Sequence, residues 1–188
     1  MLFSTPLTSR ICNLFPMHPS RRKTFAALIY GVMDSSNVHH IGLSRYLNTP
    51  KPKNALRRIE RFFQFQSLKC SDAALAMVSL LKFTGNFDLC LDRTNWKFGQ
   101  KNINYLVLSW RINKQISLPL LAVELDKAGN SNTQERIDLL EQFGEIFGFE
   151  RIKSLLADRE FIGEIWYKKL IQWRVPFFIR IKDNGLLP

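Results

Sequence analysis

The chain of 188 residues is poor in the side chains that build disulfide frameworks and soft-metal sites. Its three cysteines, Cys12, Cys70 and Cys90, show neither a C-x-x-C pair nor a Cys/His spacing. Free thiols in a reducing compartment are the simplest reading of them. Its three histidines, His18, His39 and His40, have no companions for a zinc site. No apolar run approaches the ~20 residues needed to span a bilayer. No internal repeat or low-complexity tract is present, and Met1-Leu2-Phe3 lacks the charged start and long apolar centre of a secretory signal. The expectation is a cytoplasmic protein with no membrane partner. Acidic residues are scarce in one region in particular. Residues 1–70 contain two, Asp34 and Glu60, against 11 Lys/Arg, a net of +9, whereas the remainder sets 16 against 14, a net of +2.

The chain does have the means to fold. A hydrophobic fraction of 46% is that of a globular protein, and the length suits one ordinary domain with a small partner. A basic block ahead of a near-neutral one implies a polyanion partner for the first part, most simply DNA or RNA. An anionic membrane surface is the weaker alternative, because no long amphipathic helix with an aromatic face stands out.

Residues 1–20, rich in Pro, Ser and Thr, are expected to be poorly ordered. From Arg21 onward Phe25, Leu28, Ile29, Val32 and Met33 recur at helical spacing, broken at Ser35-Ser36-Asn37. A short helix over Ile41–Leu47 and a loop at Asn48–Pro52 follow. From Lys53 to Phe65, Leu56, Ile59, Phe62 and Phe63 make one face, while Lys53, Arg57, Arg58 and Arg61 project from the others. This is either a helix lying along phosphates or the solvated face of a bundle helix, and the surrounding charge excess favours DNA. A further helix is expected over Ser71–Phe83, with Ser71 as N-cap.

At Gly85-Asn86 the period changes from helical to alternating. Phe87, Leu89 and Leu91 alternate with Asp88 and Cys90, as in a strand. Asn104–Ile112 and Ile116–Leu125 are two more strands, joined at Asn113-Lys114-Gln115 by a hairpin. A helix begins at Asn132, with Glu135 completing a capping box, carries Ile137, Leu140, Phe143 and Phe147 inward, and stops at Gly148. Ile152–Ala157 is a strand ending on Asp158. A helix over Phe161–Trp173 turns Ile162, Ile165, Trp166 and Leu170 inward, and Phe177–Ile181 is the last strand. The order is a helical block followed by β-β-β-α-β-α-β, an α/β arrangement with a mixed sheet.

Asp92 and Asp158 carry the chemistry. Each stands near the end of a run that reads as a buried strand, where an ionised carboxylate is costly unless something pairs with it. Two such groups, 66 residues apart in sequence and brought together by the fold, make an oxygen-ligand site for a divalent metal such as Mg²⁺ or Mn²⁺. Hydrolysis or transfer of a phosphodiester works best with two such ions about 4 Å apart. Arg93 and Arg159, each beside a candidate ligand, either hold a substrate phosphate or neutralise a carboxylate. Lys97 is read as approaching DNA or as an ordinary solvated lysine. The four tryptophans fit a core or interface role better than base stacking.

The run Leu91-Asp92-Arg93-Thr94-Asn95-Trp96-Lys97-Phe98-Gly99, followed by a hydrophobic hairpin, resembles the first signature of the bacterial insertion-sequence-four type of DDE transposase. Leu156-Ala157-Asp158-Arg159-Glu160-Phe161-Ile162-Gly163 is similar to its second. The segment ending in Leu56-Arg57-Arg58-Ile59-Glu60-Arg61-Phe62 is similar to its N-terminal DNA-binding region. The resemblance runs from about residue 22 to the end. It implies a ribonuclease-H-like catalytic core over 85–188, preceded by a helical DNA-binding domain over 21–84. Asp92 and Asp158 are then the first two members of an Asp-Asp-Glu metal triad. Lys53, Arg57, Arg58, Arg61, Arg93, Lys97 and Arg159 are the candidate DNA contacts.

The implied partners are double-stranded DNA at transposon terminal inverted repeats and further copies of the chain on that DNA, in a bacterial cytoplasm at the nucleoid. The family's third carboxylate lies in a Tyr-x2-Arg-x3-Glu-x6-Lys pattern that does not occur here, and Glu160, Glu124 and Asp126 are poor substitutes. The expectation is therefore the N-terminal portion of a transposase, inactive alone. The alternative is a non-catalytic DNA-binding fragment or an inhibitor of transposition.

Overall fold

The computed structural model describes residues 9–10, 13–15, 17–65 and 68–181. Contacts divide the chain into two units, Met1–Asp72 and Ala73–Pro188. The first is helical. It comprises α1 (Pro19–Ser35), α2 (His40–Leu43) continued by a 3₁₀ turn over Ser44–Tyr46, and α3 (Pro52–Phe65). Proline at the first helical position starts α1, where its missing N–H costs nothing, and Ser36 at φ 50° ends it. Gly31 lets the α2 region approach closely, since a Cβ there would meet Tyr46 Cδ2 at 2.8 Å and Leu43 Cδ2 at 3.0 Å. Phe25 of α1 stacks on Phe62 of α3 at 5.7 Å, over a core that includes Leu28, Leu43, Ala55 and Ile59. The stretch expected to be poorly ordered lies partly outside the described residues. Within it Phe15 and Met17 are buried, and α1 begins at Pro19.

Helix α4 (Cys70–Leu80) brings Ala74 and Val78 into the core of the second unit. That unit is built on β1 (Phe87–Phe98), β2 (Lys101–Arg111), β3 (Ser117–Glu124), α5 (Thr133–Phe147), β4 (Ile152–Ala157), α6 (Glu164–Gln172) and β5 (Phe177–Ile179). The five strands form one mixed sheet in the order β3-β2-β1-β4-β5. The first three are an antiparallel meander, while β4 pairs parallel to β1 and β5 parallel to β4. This α/β arrangement is compatible with a ribonuclease-H-like core.

Alternation fixes which face is buried. Phe87, Leu89 and Leu91 of β1 lie beside Leu106, Leu108 and Trp110 of β2, and these pack with Phe143 and Phe147 of α5 and Trp166 and Leu170 of α6. Phe87 has no exposed surface and meets the rings of Phe83, Trp110, Phe143 and Phe147. The capping box of α5 is present, with Asn132 accepting from the Glu135 N–H and Glu135 accepting from the Asn132 N–H. Gly148 ends that helix at φ 86°.

Three expectations are corrected. Strand β1 does not end close to Asp92 but continues to Phe98, and β2 starts at Lys101 rather than Asn104, because Gly99 at φ 61° supplies the left-handed residue that a two-residue hairpin turn needs. Ile162, ahead of α6, and Ile165, on it, face outward, 50% and 66% exposed, because the helix begins at Glu164 and only Trp166 and Leu170 reach the core. On α3, Phe63 is 55% exposed and stacks on His40, and Ala55 takes the inward position.

Candidate active site where two strands end beside β1

The sheet brings the two aspartates together. The last paired residues of the parallel strands are Leu91, Ala157 and Ile179, aligned across β1, β4 and β5. One step further along each chain stand Asp92, Asp158 and Arg180. Neighbouring strands run about 4.8 Å apart, so this register makes Asp92 and Asp158 adjacent. Leu91 is buried on the helix-covered face, and alternation therefore turns Asp92 to the opposite face.

An open cleft of about 640 Å³ lies there, lined by Cys90, Leu91, Asp92, Leu156, Ala157, Asp158, Phe178, Ile179 and Arg180. It sits at the carboxyl ends of β4 and β5, a place where ligands of open α/β sheets commonly bind, while β1 continues past it to Phe98. Burial first, and the Asp92 charge second, raise the pKa of the Cys90 thiol.

Asp92 and Asp158 are held in the same way. Each is exposed, and each directs Oδ1 to the backbone N–H of the following residue, Arg93 or Arg159, at 2.7 Å. Neither forms an ion pair among the described residues. Two adjacent carboxylates with no cationic partner suit a hard divalent cation, which prefers oxygen ligands. Among the described residues no group of three or more His, Cys, Asp or Glu side chains is placed to hold a metal ion.

The two arginines beside the aspartates differ. Arg159 is exposed and makes no side-chain hydrogen bond or ion pair among the described residues. Arg93 pairs with Glu160 and with neither aspartate. Its Nε donates to Glu160 Oε1 at 3.0 Å and its Nη2 to Oε2 at 3.2 Å. Its remaining donors reach Asn104 Oδ1 at 3.3 Å and Asn130 Oδ1 at 3.2 Å. Asn104, itself buried, donates to the carbonyls of Lys127 and Gly129. Lys97 is exposed on the β1–β2 hairpin, where Trp96, half exposed, stacks on Tyr105 at 6.1 Å.

In the first unit Lys53, Arg57 and Arg61 are exposed along α3. Arg58 is set apart from them. Its Nε donates to Thr24 Oγ1 at 2.8 Å and its Nη2 to Ser20 O at 3.0 Å, so its guanidinium ties α3 to α1.

Arg180 is the cleft residue that sequence reasoning missed. The signal that singled out both aspartates, an apolar run ending on a charged residue, was present in Phe177-Phe178-Ile179-Arg180. The Arg93–Glu160 pair had no such signal, because it joins residues 67 positions apart.

No protein-family model matches the sequence, and no curated protein does. Among solved structures, the chain is similar to a chain of the simian T-cell lymphotropic virus intasome in complex with PP2A regulatory subunit B56 gamma, determined by cryo-electron microscopy. The sequence identity is 11% and the TM-score 0.39, with 74% of this chain and 47% of that chain covered.

Proposed function

We propose that this protein acts on DNA in transposition, as a DDE transposase of the insertion-sequence-four type, with a ribonuclease-H-like catalytic core. One observation carries the reading: Asp92 and Asp158, paired with no cation among the described residues, stand side by side where β4 ends against β1. In this reading they hold Mg²⁺ or Mn²⁺ through the carboxylate oxygens left free by the backbone hydrogen bonds. Such an ion, when bound, polarises a phosphodiester and activates the attacking oxygen. The chain's own residues do the rest. Asp92 and Asp158 would hold the ion, and Arg180 and Arg159 offer guanidinium donors to the non-bridging oxygens of the reacting phosphate. Lys53, Arg57, Arg61 and Lys97 contact the DNA backbone, and the acid-poor first 70 residues supply the long-range attraction. Terminal inverted repeats are the proposed target, bound by more than one copy of the chain.

The test is nicking of supercoiled plasmid DNA with Mg²⁺, Mn²⁺ or a chelator, using the wild type, Asp92→Ala and Asp158→Ala. Metal-dependent nicking that both substitutions abolish supports the enzyme. Absence of nicking, with salt-sensitive DNA binding that survives both substitutions, replaces it with the DNA-binding reading. The lack of a third candidate ligand among the described residues favours that second reading.

A further inference from the structure

We propose that the Arg93–Glu160 pair is a positioning latch that fixes Asp158 beside Asp92. This inference deepens the metal-site reading above and rests on it for its functional consequence. Asp158 lies one residue past the last β4 pair, so no ladder hydrogen bond to β1 holds it in place. On the β5 side the Arg180 N–H donates to Ala157 O at 3.1 Å; beyond that bond the position of Asp158 depends on the turn that follows, and Glu160 fastens that turn on two sides. Its carboxylate is gripped by the Nε–Nη2 edge of the Arg93 guanidinium, and its backbone carbonyl accepts from Arg136 Nη2 at 3.1 Å.

Both anchors are themselves well held. Arg93, 14% exposed at its side chain, is braced by Asn104 and Asn130. Arg136, 5% exposed, is braced by Ser131 Oγ, Ser131 O and Ile162 O, and its guanidinium lies 5.3 Å from the centre of the Phe161 ring. Phe161 is fully buried and closes the turn by donating its N–H to Asp158 O at 3.0 Å.

The placement separates fastening from ligation. Strand alternation sends Asp92 to the open face and Arg93, opposite Leu106, to the covered face. The residue after the first ligand can therefore grip the second residue after the other ligand without entering the cleft. A bidentate guanidinium–carboxylate pair fixes direction as well as distance. Partners of this kind, one shell removed from a metal, typically govern its affinity by about 10- to 100-fold.

The experiment measures Mn²⁺ binding by electron paramagnetic resonance and amide hydrogen exchange by NMR. The proteins are the wild type, Glu160→Gln, Arg93→Lys and Asp92→Asn/Asp158→Asn. For the two latch variants the expected result is Mn²⁺ affinity lower by about 10- to 100-fold. Faster exchange is expected at the Arg159 and Phe161 amides, with the Leu155 amide of β4 unchanged. Should Glu160→Gln fail to fold, Arg93→Lys, which keeps the charge and removes the two-point grip, carries the same measurement. Unchanged exchange at 159 and 161, or unchanged Mn²⁺ affinity in a protein whose binding needs the aspartates, overturns the latch. If Mn²⁺ binding ignores the loss of both aspartates, the metal reading fails instead. Exchange at 159 and 161 then decides the latch alone.

Discussion

Asp92 and Asp158 are neighbours across parallel strands, each one step beyond the Leu91–Ala157 pair, although 66 residues separate them in sequence. Both keep one carboxylate oxygen on a backbone N–H and neither has a cationic partner among the described residues. Two like charges at this separation oppose each other, and a bound cation relieves that opposition. Asp158→Asn is therefore expected to abolish Mn²⁺ binding at the cleft while changing stability by no more than about 0.5 kcal/mol, as for an exposed substitution. Isothermal titration and urea unfolding check the two halves, and a large loss of stability would assign Asp158 a structural role instead.

The basic residues of α3 separate into two kinds. Substituting Lys53, Arg57 and Arg61 together by Ala is expected to weaken DNA binding and to lower the slope of log affinity against log salt by about 2–3. Arg58→Ala is expected to act chiefly by loosening α1 from α3, because Thr24 and Ser20 occupy its guanidinium. Fluorescence anisotropy across a salt series, with thermal unfolding of the same proteins, distinguishes the two. An equal loss of salt slope from Arg58→Ala alone and from the triple substitution would overturn the division.

Arg136 is buried and donates to Ser131 Oγ, Ser131 O, Glu160 O and Ile162 O. Burial lowers its pKa, and the charges of Glu160 and Glu135 work in the opposite direction. Arg136→Met retains much of the bulk but strands those acceptors, at a cost of about 3 kcal/mol. Urea unfolding measures it, and a loss below about 1 kcal/mol would mean that water replaces the guanidinium.

Asp88 offers a test by pH. It accepts from Ser154 Oγ at 2.7 Å and pairs with Lys153 Nζ at 3.0 Å, and these two contacts, the serine first, hold its pKa below the ordinary aspartate value. A depressed folded pKa means that the unfolded chain binds the proton more readily, so stability rises with pH through this window. The contribution is complete above about pH 4 to 5 and disappears as pH falls through the lower folded value. The stability gap between wild type and Asp88→Asn should narrow as the pH is lowered from 5 toward 2. A gap that stays constant in unfolding experiments would show that Asp88 does not titrate differently in the folded state.

The core has a single centre to probe. Phe87→Ala removes a ring that contacts four other aromatic side chains and has no exposed surface. The expected cost is about 3–5 kcal/mol, since a cavity remains where the ring was. Chemical denaturation checks it, and a cost under about 2 kcal/mol would mean that the neighbouring rings collapse into the gap.

Periodicity made most of the elements legible in the sequence. The alternation of Phe87, Leu89 and Leu91 marks β1, and the Asn132/Glu135 box with Gly148 marks both ends of α5. These signals are local, set by the period of the backbone and by the first and last turns of a helix. Their failures came at the edges of elements. Ile162 and Ile165 match the spacing of an inward face, yet the Phe161 turn shifts the start of α6 and leaves them outside. Phe63 likewise matches the apolar face of α3 but stacks on His40 at the surface.

The sequence by itself determined the basic, acid-poor front, the change from helical to strand period at Gly85-Asn86, and the positions of two aspartates at the close of apolar runs. Tertiary structure alone decided what those aspartates are near. Strand order and register bring Asp92, Asp158 and Arg180 into one row. Packing turns Arg93 to Glu160 and commits Arg58 to Thr24. Local patterns report the face on which a side chain lies. Which charge meets which depends on contacts between residues far apart in the chain, and only the assembled sheet and helices bring those together.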